Sequence, residues 1–546
     1  MKREAPAIEL TPDYYLDNFL RLIEHAHEWY VDLLTEQERD WITTFLSLNH
    51  DAQCLLVRLL SRKGEWFRSD KLNYTEIGDI NGELHALQAA GLVALNPHID
   101  EVTLSETLLT KPEILARHPT LSRSARKEQW LATLQQKQEA GLLAQMPAYP
   151  FILIRLLNAE IIEVLLVLFF GNARQDLSQF VLEDLGLNRF EPYTLSRERR
   201  FFTERESLEE LRVIAQIQHQ YWLLNKPTLT SITSLVNMIP SKASHRHVER
   251  KRQRVINLLA RELEHCGDYQ QALYWFSQSE LVPSRERRAR IHDKLGDIAE
   301  YENIVTDMLI DPQDQQELEV AQRLHQKVIR YRGGKVTRTA KPAYIERHIE
   351  LDLTQCRVEL AVKAYLEQQG YRVYYLENHF LNTLLGLTLW PALFAPIEGA
   401  FINRYQHRPL DLYHEDFVDK RQELIDQSLQ ALKEHGVLSL MTRWQEKWGT
   451  SNPLIYWSGF DETLFELVEQ AIPRDILIEL MLVQLKDLRL FKSGMPDLIA
   501  FKDGKYEWIE VKGPGDKLQE SQWRWIRIFK QLQIPFSVCH VSAKND

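Results

Sequence analysis

Gly494-Met495-Pro496-Asp497-Leu498-Ile499-Ala500-Phe501 and, across Asp503-Gly504, Tyr506-Glu507-Trp508-Ile509-Glu510-Val511-Lys512-Gly513 decide how this chain is read. Twelve residues separate Asp497 from Glu510, enough to finish one strand, reverse at Asp503-Gly504 and run down the next. Side chains alternate along a strand, so Glu510 and Lys512 share one face while Ile509 and Val511 take the other. Asp497 opens the neighbouring strand, and two carboxylates and an ammonium therefore converge. That set suits a hard divalent cation together with a group that handles water. An ordinary exposed hairpin can show the same spacing. Gly494, which permits an unusual backbone before Pro-Asp, and the sharp stop at Gly513-Pro514-Gly515-Asp516 favour a site.

Outward from that stretch, 546 residues are too many for one core and predict three or four units. A formal net charge of −11 argues against a uniformly basic coat for DNA, so basic patches have to be sought segment by segment. Cys54, Cys266, Cys356 and Cys539 are scattered, without C-x-x-C or Cys/His ligand spacing. Neither a disulfide framework nor structural zinc is expected, and a reduced, cytoplasmic setting is. Met1 to Pro6 lacks the apolar run of a secretion signal. The most apolar stretch, Phe151 to Phe170, is interrupted by Arg155, Glu160 and Glu163 and reads as a buried helix, not a membrane span.

Residues 12 to 50 carry apolar side chains at helical spacing. Residues 51 to 96 then read as helices followed by a small β-wing, a winged-helix-like order. Its Arg58, Arg62, Lys63, Trp66, Arg68 and Lys71 suit either a phosphate backbone or a solvated face. Residues 105 to 140 read as helix, loop, helix, like a SAP-type DNA-binding motif or a plain helical hairpin. Tyr193-Thr194-Leu195-Ser196-Arg197-Glu198-Arg199-Arg200 gathers three arginines whose forks match phosphate oxygens, although such clusters are more often exposed faces. From Ser207 to Arg332 helix follows helix, and Gly267-Asp268-Tyr269 and Leu295-Gly296-Asp297 fit degenerate tetratricopeptide-like repeats. The basic run His245 to Arg254 reads as a solvated helix face in preference to a DNA contact. Gly333-Gly334 to Pro342 reads as a linker. Beyond it come a helix from Glu359 to Gln369, a strand from Tyr371 to Leu376, and an apolar helix from Phe380 to Phe394. Glu377 lies between the last two, and position alone divides it evenly between metal ligand and helix-start residue. A long helical insertion follows, then the strand Leu498 to Phe501, the strand Tyr506 to Lys512, a helix from Lys517 to Gln531 and a strand from Phe536 to Val541. Trp523 and Trp525 are expected to pack, not to stack on bases.

The Pro-Asp turn with Glu-Val-Lys is the pattern of PD-(D/E)XK nucleases. More specifically, G-M-P-D-L-I, Y-E-W-I-E-V-K-G-P-G-D-K-L with the following Gln522 and Trp525, and V-C-H-V resemble the virus-type replication-repair (VRR-NUC) domain of the Fanconi-associated nucleases. The likeness extends to Glu377 with F-x-N-T-L-x-G-L-x-L-W, to Gln406 with Pro409-Leu410-Asp411-Leu412, to Lys71-Leu72-x-Tyr74-x-Glu76-Ile77, and to Tyr193-Thr194-x-x-Arg197. It covers nearly the whole chain. The fold it implies is multidomain and mainly helical: a winged-helix-like region over 1–104, a SAP-like hairpin and connecting helices over 105–206, tetratricopeptide-like helices over 207–340, and a restriction-endonuclease-like α/β core over 341–546 with an insertion at 407–485.

The resemblance assigns Glu377 to the metal site with Asp497, Glu510 and the main-chain carbonyl of Val511, holding one or two Mg²⁺ or Mn²⁺ ions, with Lys512 completing the catalytic set. Arg197, Arg199 and Arg200 become candidates for the 5′-terminal phosphate of a flap, of which only Arg197 matches cleanly. Gln406 and Gln522 are expected to position the scissile strand. Ser521 stands where eukaryotic members have a lysine, and Lys517 is the nearest substitute. The implied activity is metal-dependent cleavage of branched or 5′-flap DNA, endonucleolytic and also 5′-to-3′ exonucleolytic, of phosphodiesterase I type, in interstrand cross-link repair. A dimeric four-way-junction resolvase and a catalytically dead helical scaffold are the competing readings. No membrane partner is expected.

Overall fold

Helical segments precede a mixed α/β end in the computed structural model, which describes residues 11–142, 150–172, 189–336, 341–354 and 356–543. Met1 to Pro6 and the linker residues 337–340 lie outside the described residues. The described chain forms two units, one from the residues up to 187 with 202–208, the other from 188–201 with 209 onward.

In the first unit, capping fixes where the leading helices begin. Thr35 and Glu38 form a reciprocal capping box at the start of Glu36–Ser47, and the Asn49 side chain accepts from the Ala52 N–H at the start of His50–Leu60. Three short strands follow: β1 (Trp66–Arg68), β2 (Val93–Leu95) and β3 (Leu153–Leu156), antiparallel in the order β1-β3-β2. β3 corrects the expectation of one helix from Phe151 to Phe170. Leu153, Ile154 and Leu156 are buried while Arg155 faces out, over the Trp66 ring. The chain then turns at Asn158, a side chain that tolerates its φ of 54°, and only Ile161–Phe170 is helical. Apolar content did not separate a central strand from a buried helix. Helices at Lys111–Arg117 and Lys127–Glu139 fall where the helix-loop-helix reading put them. Two candidate DNA contacts are committed internally. Arg58 pairs with Glu76 at 2.6 Å, and buried Arg68 pairs with Asp70 at 2.8 Å and Glu113 at 2.9 Å.

In the second unit, the helices Arg246–His265, Tyr269–Ser277, Ser284–Leu295, Ile298–Ile310 and Gln315–Tyr331 pack in succession. Gly267 and Gly296 take positive φ, and Asp268 and Asp297 cap the helices that follow, accepting from the N–H groups of Gln271 and Glu300. The two Gly-Asp pairs thus mark helix ends. The basic run is not a uniformly solvated face. Glu249, Arg252 and Gln253 are buried, His245 caps its helix, and Arg246 and Arg250 pair with Glu415.

The sheet of this unit has five strands: β4 (Ile345–Leu351), β5 (Arg372–Tyr375), β6 (Leu498–Lys502), β7 (Lys505–Lys512) and β8 (Phe536–Ala543). Their order is β4-β8-β7-β6-β5, with β4-β8 and β7-β8 parallel and β5-β6 and β6-β7 antiparallel. Sequence reading missed β4, whose charged, largely exposed alternation hides an edge strand. Ile509, Val511, Cys539 and Val541 pack with the helix Val358–Gln368 on one face. On the other, Trp508, Phe536 and Val538 share a core with Trp523, Trp525 and Phe529, so both tryptophans are packing groups. The insertion belongs to that core, since Ile425, Leu440, Phe465 and Leu480 from its helices join it. The expected helix from Phe380 to Phe394 is two pieces, His379–Thr388 and Trp390–Leu393, with Pro391 opening the second. The last helix begins at Glu520, not Lys517, capped by Gln519. Among the described residues no helix is long and apolar enough to cross a membrane.

Candidate active site

The antiparallel pairing of β6 with β7 sets Leu498 opposite Ile509, so Asp497 and Glu510 sit one step beyond the same rung. The Val511 N–H donates to Asp497 Oδ2 at 2.8 Å, which fixes the carboxylate against the strand carrying Glu510 and Lys512. The Asp497 carbonyl accepts from the N–H groups of Leu376 and Glu377 at 3.1 and 3.0 Å. Two main-chain bonds therefore tether Glu377 to the Pro-Asp turn across 120 residues of sequence. Glu377 has φ 35°, a strained value for a non-glycine residue. Asn378 straps the junction: its Nδ2 donates to Glu377 Oε1 at 2.9 Å, and its Oδ1 accepts from the Met495 N–H at 3.2 Å.

Glu510 is 2% exposed, and its Oε1 accepts from Lys512 Nζ at 2.9 Å and from Gln522 Nε2 at 2.5 Å. Gln522 Oε1 in turn accepts from the Gln519 N–H at 2.8 Å, so the helix start orients the amide that reaches Glu510. Burial pushes Asp497 up to about 6, and the negative charges of Glu377 and Glu359 push the same way, against the Val511 hydrogen bond and Lys512. Burial and then the Asp497 charge raise Glu510 to about 8, against Lys512. Asp497 and Glu510 thus lack sufficient positive charge around them. Burial and mutual repulsion oppose their ionisation, which a nearby cation would favour. Among the described residues no group of three or more acidic, histidine or cysteine side chains is placed to hold a metal ion.

Gly494 holds the approach to this turn. Its φ is +89°, and a Cβ there would lie 2.7 Å from the Ser521 main-chain carbon and oxygen. Gly494→Ala is therefore expected to force the last helix away from the turn and destabilise the core by about 2 kcal/mol or more. Thermal unfolding checks it, and a wild-type midpoint would rule out the close approach.

Asp497, Glu510, Lys512, Val511 and Gln522 are brought together directly, and Glu377 through the main chain. Arg197 and Arg199 are exposed on the turn Arg197–Arg199, whose Arg199 Nη1 donates to the Pro396 carbonyl at 3.0 Å, and Arg200 is half-buried just beyond. Their segment is pinned by Tyr193, which stacks on Phe401 at 3.9 Å, donates to the Asn403 carbonyl and accepts from the Gln406 N–H at 3.1 Å. The Gln406 amide is turned into its own loop, its Oε1 accepting from the Ile402 and Asn403 N–H groups. Lys517 is exposed in the loop before the last helix. Sequence reading missed Glu359 and Asn378. An acidic residue opening the helix that leads through Gly370 into β5, and an amide beside Glu377, were the available signals.

Residues 13–94 match the family model described as "FAN1, HTH domain", and residues 433–543 match the VRR-NUC domain. A Fanconi-associated nuclease 1 homolog of Pseudomonas aeruginosa is 31% identical over 548 residues, covering 98% of this chain and 97% of that protein. One of Oryza sativa subsp. japonica is 26% identical over 97% of this chain but 62% of its own length, so the chain spans under two thirds of that relative. Crystal structures of paFAN1 bound to gapped 5′-flap DNA superpose along the chain. The complex with a 2-nt flap has a TM-score of 0.87 at 30% identity, covering 99% of this chain and 100% of that one. The complex with a 1-nt flap has 0.85 at 30% identity, covering 98% and 100%.

Proposed function

The chain belongs to the Fanconi-associated nuclease family, and from that premise we propose that its VRR-NUC end hydrolyses phosphodiesters in 5′-flap and branched DNA, by endonucleolytic and 5′-to-3′ cleavage, in DNA repair. The observation that carries this reading is the pairing of a desolvated Asp497 and Glu510 with a buried Lys512. It is supported by likeness along the whole chain to a protein crystallised on 5′-flap DNA. The domain is of the PD-(D/E)XK type, which is generally metal-dependent. The finer assignment is that Asp497, Glu510, the Val511 carbonyl and Glu377 hold one or two Mg²⁺ or Mn²⁺ ions. Glu359 adds negative charge from the neighbouring helix. Bound there, the metal supplies Lewis-acid charge stabilisation at the phosphate and an acidified water.

The remaining work falls to the protein's own side chains. Lys512 keeps an ammonium 2.9 Å from Glu510, where it orients the attacking water and offsets charge growing on the phosphate. Gln522 fixes the rotation of Glu510, and Asn378 that of Glu377. Gln406 acts on the strand only through the loop it organises. The arginine turn held by Tyr193 is the candidate grip for a 5′-phosphate, with Lys517 beside the catalytic helix. The β1-β3-β2 sheet with its helices is the winged-helix-like element, residues 105–140 the SAP-like hairpin, and the Gly-Asp helical pairs the tetratricopeptide-like platform.

Purified protein incubated with matched 5′-flap, 3′-flap and four-way-junction DNA, with Mg²⁺ or Mn²⁺ and with chelator, tests the reading. Metal-dependent cuts near the junction of the 5′ flap are expected. Symmetric cleavage of four-way junctions in preference to flaps would replace it.

A further inference from the structure

The helical insertion carries a buried polar side chain that its apolar core does not need. Gln484 is 1% exposed, on the face of the helix Arg474–Lys486 that also buries Leu477, Leu480 and Met481. Its Nε2 donates to Asn382 Oδ1 at 2.7 Å, while its buried Oε1 accepts no hydrogen bond from the described residues. An amide oxygen left so costs stability that an apolar side chain of the same length would avoid. The bond to Asn382 is what such a side chain could not supply.

Asn382 lies on the helix His379–Thr388, whose N-cap is Asn378. Both ends of its amide are engaged: Nδ2 donates to the Asn378 carbonyl at 2.6 Å and to the Lys492 carbonyl at 2.9 Å, and Oδ1 takes the bond from Gln484. Those carbonyls belong to the two segments that meet at the carboxylates. Asn378 follows Glu377, and its side chain holds both Glu377 Oε1 and the Met495 N–H. Lys492 leads through Ser493-Gly494-Met495 into Pro496-Asp497. Gln484, Asn382 and Asn378 thus run in series from the insertion to the Glu377 carboxylate.

The series has a direction. With Oδ1 of Asn382 committed to Gln484, only its Nδ2 faces the two carbonyls; a flipped amide would set oxygen against oxygen at both. Glu377 needs such support, because its φ of 35° persists only where the surroundings impose it. We propose that Gln484 and Asn382 are positioning residues for Glu377, through which the helical insertion sets the carboxylate that completes the cation site. This rests on the reading of Glu377 as a metal ligand. Partners one bond removed from a ligand change metal affinity by about ten- to a hundredfold.

The test is calorimetric binding of Mn²⁺ to the full chain without DNA, for the wild type, Gln484→Met, Asn382→Leu, the two combined, and Glu377→Gln. Gln484→Met and Asn382→Leu keep the shape of each side chain and remove its hydrogen bonds. Each should weaken Mn²⁺ binding at least about tenfold, and the Mn²⁺ concentration for half-maximal flap cleavage should rise with it. The combined variant should bind no more weakly than Asn382→Leu alone, because Gln484 acts through Asn382. In chelator the thermal midpoint of Gln484→Met should match the wild type, since one unpartnered oxygen is removed as Asn382 Oδ1 becomes another. A lower midpoint with unchanged Mn²⁺ binding makes Gln484 a packing residue and overturns the positioning role, as does wild-type Mn²⁺ binding by Asn382→Leu. Wild-type Mn²⁺ binding by Glu377→Gln would instead remove Glu377 from the metal site, and the reading on which the proposal rests.

Discussion

Lys512→Ala is expected to lower single-turnover cleavage of a 5′ flap about a hundred- to thousandfold, the loss seen when one preorganised charge donor is removed from a transition state. Flap affinity in chelator should stay within about twofold, because Lys512 is only 7% exposed and lies on the sheet beside Glu510. Such a split between kcat and binding is the mark of an interaction made at the reacting phosphate. A structural role predicts something else. Removing the ammonium leaves Glu510 Oε1 with only Gln522, so a stability loss accompanied by weaker binding would assign Lys512 to folding. Lys512→Arg keeps the charge but not the compact ammonium, and partial rescue by it supports an electrostatic role. Cleavage by Lys512→Ala at the wild-type rate would move the active site elsewhere.

How much of this was legible in the chain depended on whether a short pattern carried the information. The hairpin was legible because Pro496-Asp497 and Glu510-Val511-Lys512 bracket a turn, and strand alternation alone then places the carboxylates and the lysine. The Gly-Asp helix ends were legible for the same local reason. β3 was not, because Leu153-Ile154-Arg155-Leu156 runs directly into a true apolar helix and only the turn at Asn158 divides them. β4 was missed for a different cause: its pairing with β8 is non-local, and Ile349 and Leu351, only partly buried, alternate with charged and exposed residues. At the site, spacing left Glu377 ambiguous. What joins it to Asp497 is a pair of main-chain bonds across the insertion, and main-chain bonds have no sequence signature. Glu359 and Asn378 escaped because their parts depend on tertiary placement. The basic run His245 to Arg254 misled for a related reason, since the carboxylate that binds Arg246 and Arg250 lies far along the chain at Glu415.

The raised carboxylates make a second strong prediction, on stability. Asp497 rises from 3.8 to about 6 and Glu510 from 4.5 to about 8 on folding. A group whose folded value is raised contributes stability that is fully present below its unfolded value and is lost as the pH climbs through the folded one. In chelator, these two groups should therefore make the protein melt higher near pH 5 than near pH 8.5. Divalent cation reverses the trend, because binding favours deprotonated carboxylates and releases their protons. The midpoint gain on adding Mg²⁺ or Mn²⁺ should accordingly grow with pH. Asp497→Asn isolates the cause. Its amide oxygen can still accept from the Val511 N–H, but no charge has to be held in the buried turn, and the Glu510 carboxylate loses the neighbour that most opposes its ionisation after burial itself. At pH 8 the metal-free variant should be more stable than the wild type by about 1–3 kcal/mol, since a tenfold change in proton affinity on folding is worth about 1.4 kcal/mol. It should also cleave no flap and gain little from added metal. If wild type and variant melt alike at pH 8 in chelator, the carboxylates are not held in the electrostatically opposed state that a cation would relieve, and cation binding must draw its free energy from elsewhere in the fold.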